Sequence, residues 1–183
     1  MIVLNIGDLE DTRRAVENLG RECRCYKVDL SVSSDVDEVW IRLLKDAGHV
    51  DILCNNAGMH FRDKGIKGKI INTASLFTTF GGVEVSGYTC SKHGVMGITR
   101  ALSNEFAPYG ICVNAIAPGY IATELTKAVW SDSKRRQPMD ERIPAERWGN
   151  PDDFEGAAVF LASRASDYIT GIMIPVDGGY SAR

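Results

Sequence analysis

Residues 69–100, KIINTASLFTTFGGVEVSGYTCSKHGVMGITR, restrict what this chain can fold into more than any other stretch. Ile70 and Ile71 form a short apolar run between turn signals, which predicts a buried strand. The segment 88–100 has the length and 3.6-residue periodicity of a helix. Ser75 then stands where the strand gives way to a loop. Tyr88 and Lys92 are four residues apart, so they share one helix face with their side chains in reach of each other.

Those three side chains suggest chemistry. A phenol with a pKa of roughly 10 is a poor base at neutral pH, and a neighbouring ammonium favours its ionised form. Tyr88 beside Lys92 is therefore a candidate proton shuttle. With Ser75 placed to hold a substrate oxygen against the phenol, the set suits interconversion of an alcohol and a ketone. A tyrosine on a helix face is more often packing, and a lysine more often solvated, so the surroundings must decide.

Strands and helices alternate around this stretch. Strands are predicted over 1–6, 23–30, 51–54, 69–75, 111–117 and 172–176, and helices over 11–19, 35–47, 88–107 and from the Asn150-Pro151-Asp152 cap to 162. Such alternation predicts an α/β fold, a parallel sheet covered on both faces. Residues 120–148, of mixed polarity and carrying the Lys134-Arg135-Arg136 cluster, read as a long mobile excursion outside the core.

At 183 residues with 44% hydrophobic content, the chain is one domain by length and can build a core. Its net charge of −3, with Lys and Arg neither in excess nor in a stripe, argues against a nucleic-acid partner. No run approaches the roughly 18 apolar residues of a membrane span, and no leader pattern opens the chain. The five cysteines Cys23, Cys25, Cys54, Cys90 and Cys112 lack metal-ligand spacing, and His49, His60 and His93 offer no shared metal geometry. A soluble cytoplasmic protein without a metal is expected.

Ser75, then Tyr88 thirteen residues on, then Lys92, resembles the active-site spacing of the short-chain dehydrogenase/reductase family. Four further pieces match in the family's order: Asp29-Leu30, Asn55-Asn56-Ala57-Gly58, Asn114-Ala115-Ile116-Ala117-Pro118-Gly119, and Val176-Asp177-Gly178-Gly179. The resemblance implies a Rossmann-type doubly wound parallel sheet in a single domain over 1–183. It implies Tyr88 as general acid/base, Lys92 as the group that activates it and holds the nicotinamide ribose, and Ser75 as the holder of the substrate oxygen. It also implies cofactor contacts from Asp29 and Leu30 to adenine, from the backbone of Asn56, Ala57 and Gly58, and from Pro118, Gly119, Ile121 and Thr123 at the nicotinamide. Asn5 stands where the family often places an acidic group for the ribose hydroxyls, and no Arg follows to pair a 2′-phosphate. NAD is thus expected ahead of NADP. A homotetramer built on the helix that starts near Tyr88 is the family's usual assembly.

Two pieces of the family pattern are missing, namely the opening strand and Gly-rich turn, and a long helix near 62–65. Only ten residues separate Gly58 from Lys69, where a parallel crossover normally needs a dozen or more. The expectation is an incomplete sheet, with segments of the folding chain lying beyond these residues; an intact mass equal to 20.1 kDa would refute it. Segments 142–149 (RIPAERWG) and 160–168 (FLASRASDY), with the ending VDGGYSAR, resemble the 2-deoxy-D-gluconate 3-dehydrogenase and gluconate 5-dehydrogenase branch. The substrate implied is a sugar acid, with Arg135, Arg136 and Arg147 as candidates to pair its carboxylate. The alternatives are a 3-oxoacyl carrier-protein reductase, or a truncated cofactor-free family member acting as a binding partner.

Overall fold

The computed structural model describes residues 2–5, 9–28, 32–48, 52–55, 67–124 and 126–183. Their strands are β1 (Ile2–Asn5), β2 (Arg24–Lys27), β3 (Ile52–Asn55), β4 (Gly68–Thr73), β5 (Ile111–Pro118) and β6 (Met173–Val176). The helices are α1 (Glu10–Asn18), α2 (Ser33–Ala47), α3 (Ser86–Phe106), α4 (Lys127–Trp130), α5 (Ser133–Asp140) and α6 (Glu155–Ala162). Every described pairing is parallel, in two sheets of order β1-β2 and β3-β4-β5-β6. The chain divides into two compact units, Met1–Val50 and Asp51–Arg183.

In the first unit, α2 returns over β2 and buries Val39 and Leu43 against Tyr26 and Val28, with Trp40 and Leu44 at the margin. The Tyr26 hydroxyl keeps a partner there, donating to Asp46 Oδ2 at 2.8 Å.

The second unit shows why its sheet is covered twice. Successive residues of a strand point to opposite faces. Ile70 therefore packs with Phe106, Ile111 and Val113 under α3, while Ile71 packs with Ile116 and Leu161 under α6. Ala74, Ala115 and Ala117 meet Val95 on the α3 side, where short side chains let the helix approach closely. Helix α3 offers Met96, Thr99, Ser103 and Phe106 to this face, the spacing of one helical stripe. Burying Phe106, Ile70, Leu161 and Val113 contributes on the order of 1.5–3 kcal/mol each, and the sum is offset by chain entropy. Among the described residues no helix is long and apolar enough to cross a membrane.

Buried polar groups lock the sheet to its surroundings. Asn114, 1% exposed, donates to the Ile169 carbonyl at 2.8 Å and accepts from the Ile172 N–H at 3.2 Å, which pins the loop before β6 to β5. Gly119 follows β5 where the chain passes against β6. A Cβ there would stand 2.7 Å from the Asp177 Cα, so only glycine lets the Pro118-Gly119 and Val176-Asp177-Gly178-Gly179 motifs meet.

The 120–148 excursion is not outside the core. It holds α4 and α5 and buries Ile121, Ile143 and Trp148, whose indole N–H donates to Asp140 Oδ1 at 2.8 Å. Its many polar residues conceal three widely spaced apolar anchors.

Candidate active site

Strand β4 delivers Ser75 at its C-terminal end, where ligands lie in sheets of this kind. Ser75 has extended backbone and caps the short 3₁₀ turn Leu76–Thr78, its Oγ accepting from the Phe77 N–H at 3.3 Å and its own N–H donating to Thr78 Oγ1 at 3.1 Å. The cap occupies a lone pair and leaves the hydroxyl hydrogen free to point elsewhere. Thr78 Oγ1 also donates to the Lys92 carbonyl at 3.3 Å, clamping the turn onto α3.

On α3, Lys92 Nζ donates to the Thr73 carbonyl at 2.9 Å and lies 5.6 Å from the centroid of the Tyr88 ring. Tyr88, 48% exposed, sets its ring edge-on to Phe77 with centroids 6.0 Å apart. The turn capped by Ser75, the Tyr88 phenol and the Lys92 ammonium thus gather where β4 ends and α3 begins. Strand, turn and helix each fix one of them.

A second wall lies at the ends of β5 and β6. Pro118 pairs with Val176, and the Gly119 N–H donates to the Val176 carbonyl at 3.0 Å. Ile121 bridges to Gly149, and its own N–H has no acceptor among the described residues. Thr123 is tied to Thr126 through both its N–H and its hydroxyl, at 3.0 and 3.1 Å. Tyr120, Ile121, Arg147, Gly149, Asp153 and Asp177 help line a cavity of about 160 Å³. Arg147 donates two bonds of 2.7 Å to Asp153, whose carboxyl is held well below the usual range, chiefly by that guanidinium and then by the Asn150 N–H.

An aromatic cluster with no single sequence signal joins this wall to the turn after Ser75. Tyr120 packs on Trp148 and Tyr180, with centroids 5.2 and 5.3 Å away, and Tyr180 meets Phe80 at 6.3 Å. Burial, reinforced by the neighbouring Tyr180 phenol, pushes the Tyr120 hydroxyl up to about 12. The only hints were aromatic residues standing next to motifs: Tyr120 after Pro118-Gly119, and Tyr180 after Gly178-Gly179.

Other expected site residues fall elsewhere. Asn5 ends β1, in register with Lys27, but its side chain lies outside the described residues, as do Asp29, Leu30, Asn56, Ala57, Gly58, His49 and His60. Of the arginines proposed for a carboxylate, Arg136 is paired with Asp140 at 2.7 Å and Arg147 with Asp153, while Arg135 donates to the Ala128 carbonyl. No group of three or more potential metal ligands occurs among the described residues.

Comparison with known proteins decides the family. The model of the family described as enoyl-(acyl carrier protein) reductase matches residues 59–181. The 2-dehydro-3-deoxy-D-gluconate 5-dehydrogenase of Escherichia coli (strain K12) is 40% identical over 217 residues, covering 100% of this chain and 86% of that protein. The chain belongs to the short-chain dehydrogenase/reductase family. The enzyme of the same name from Bacillus subtilis (strain 168) is 41% identical over 208 residues, 96% of this chain and 82% of its own. Among solved structures, the gluconate 5-dehydrogenase of Burkholderia cenocepacia J2315, in complex with NADP and tartrate, superposes with a TM-score of 0.90 at 28% identity, covering 100% of this chain and 85% of that one. The Rossmann-type α/β architecture expected from the sequence is thereby shown for this dehydrogenase/reductase.

Proposed function

We propose that this short-chain dehydrogenase/reductase interconverts a secondary alcohol and a ketone on a sugar acid, with Ser75, Tyr88 and Lys92 as its working side chains and NAD(P) as its cofactor. The observation that carries the reading is the position of Lys92, its ammonium held on the Thr73 carbonyl beside the Tyr88 ring, at the strand end that presents Ser75. The relatives' names supply the substrate class, and the neighbour holding NADP and tartrate supports NADP as much as NAD.

The residues present fit the nicotinamide half of a dinucleotide. Lys92 spends one N–H on Thr73 and retains two for ribose hydroxyls. The Ile121 N–H, without an acceptor among the described residues, suits a carboxamide oxygen, with Thr123 following it. When bound, the dinucleotide supplies or accepts the hydride. In the reducing direction the Ser75 hydroxyl donates a hydrogen bond to the substrate carbonyl oxygen, and the Tyr88 hydroxyl passes its proton to that oxygen. Lys92 stabilises the phenolate that remains; in the oxidising direction that phenolate is the base.

Two coarser features belong to the same proposal. The chain is one Rossmann-type domain with a shortened connection between Gly58 and Lys69, a reading supported by the 217 aligned residues of the relative against 183 here. It assembles in the cytoplasm as a homotetramer through the outer face of α3. Ile98 is 50% exposed there, and Gly94 and Gly97 have open space where a Cβ would stand, which suits close helix approach.

Initial rates at 340 nm, with NADPH or NADH and either 2-dehydro-3-deoxy-D-gluconate, 5-keto-D-gluconate or a 3-oxoacyl thioester, test the reading. Turnover of a keto sugar acid ahead of the thioester is expected. Preference for the thioester would replace the substrate class, and absence of binding of both NADH and NADPH by fluorescence would leave only a cofactor-free role.

A further inference from the structure

Three cations of the segment around α5 are committed to carboxylates. Lys127 pairs with Glu124, Arg136 with Asp140 and Arg147 with Asp153. Arg142 differs. It pairs with no Asp or Glu side chain among the described residues, and its described hydrogen bond runs from Nη2 to the main-chain oxygen of Arg183, the last residue, at a long 3.4 Å. The acids flanking it in chain and fold are occupied: Glu141 accepts from Gln137 Nε2 at 2.8 Å, and Asp177 accepts from the Gly179 and Ser181 N–H groups at 2.9 Å each.

Aromatic rings hold this guanidinium in place. Its Cζ lies 4.3 Å from the centroid of Tyr180 and 5.4 Å from that of Phe80. Phe80 closes the turn that begins at Ser75, its N–H returning to the Leu76 carbonyl at 3.1 Å. Tyr180 leads through Tyr120 to Ile121 and the cavity beside it. Arg142 therefore crowns an aromatic wall that runs from the turn after Ser75 to the backbone expected to face the nicotinamide. The two rings flank the guanidinium, a planar fork whose shape matches a carboxylate.

We propose that Arg142 is the carboxylate-recognising residue of this site, gripping the acid end of the substrate while the reacting carbon faces Ser75 and Tyr88. This rests on the sugar-acid reading above and adds the group that makes the acid the preferred substrate. Arg135, Arg136 and Arg147 do not share that role. Arg135, bonded to the Ala128 carbonyl of α4, has no ring beneath it among the described contacts, and the other two are already paired.

The test compares wild type, Arg142→Gln and Arg142→Lys on 5-keto-D-gluconate and on its methyl ester, with NADPH affinity followed by fluorescence. Losing a charge-assisted bidentate contact predicts a KM for the acid raised about 10–100-fold in Arg142→Gln. A kcat within about threefold and an unchanged KM for the ester are expected, with partial recovery in Arg142→Lys. The acid-to-ester ratio is internal to each variant, so a general loss of folding does not imitate the effect. If wild type prefers the acid and Arg142→Gln keeps that preference, the role of Arg142 is wrong while the sugar-acid reading stands. If wild type treats acid and ester alike, the sugar-acid reading fails and this role falls with it.

Discussion

Tyr88→Phe is expected to lower kcat by about 10²–10⁴, the range for removing a positioned acid/base, with NADPH affinity within about twofold of wild type. The separation follows from the geometry. The phenylalanine ring keeps the edge-on contact with Phe77, and the hydroxyl it loses has no hydrogen-bond partner among the described residues. Tyr88 is half exposed, so its stability cost stays within about 0.5 kcal/mol. Steady-state rates and a fluorescence titration on one preparation read both quantities. Turnover surviving the change would remove Tyr88 from the chemistry.

Lys92→Met should behave differently, because the ammonium serves two partners. Nζ anchors to the Thr73 carbonyl and stands beside the Tyr88 ring, and its remaining N–H groups are assigned to the nicotinamide ribose. Removing an electrostatic donor aimed at developing charge costs about 10²–10³ in rate, so kcat/KM falls by that factor. NADPH affinity falls as well, by roughly tenfold for one charged hydrogen bond. An unchanged rate with undiminished cofactor affinity would confine Lys92 to holding α3 against β4.

Much of this arrangement was legible because it is local. Ile70 and Ile71 sit next to each other in a strand whose two faces are both buried, and the structure sends one under α3 and the other under α6. The Tyr88–Lys92 spacing needed only a helix, and α3 supplies it, starting at Ser86, two residues before the expected start. The Pro118-Gly119 and Val176–Gly179 motifs read as separate turns, and their meeting at Gly119 depends on β5 and β6 pairing in parallel.

What was not legible is what depends on distant parts of the chain. The excursion at 120–148 was expected to be mobile because of its mixed polarity and its Lys134-Arg135-Arg136 cluster. Yet Ile121, Ile143 and Trp148 anchor it at intervals that match no period. The Phe80, Tyr120, Trp148 and Tyr180 cluster draws on four segments, so no spacing announces it. The arginines misled for a related reason. Arg136 and Arg147 look like free cations in sequence until Asp140 and Asp153 are seen beside them, while Arg142 becomes distinctive only once Tyr180 folds under it.

Tracing hydrogen from reductant to product probes the assignment most directly. With the dinucleotide deuterated at the reactive nicotinamide carbon and 5-keto-D-gluconate as acceptor, one deuterium is expected at the new carbinol carbon of the product by mass spectrometry, with loss of absorbance at 340 nm in equal amount. A product free of deuterium, or no product while the protein is folded and the label is bound, would contradict an active site built from Ser75, Tyr88 and Lys92.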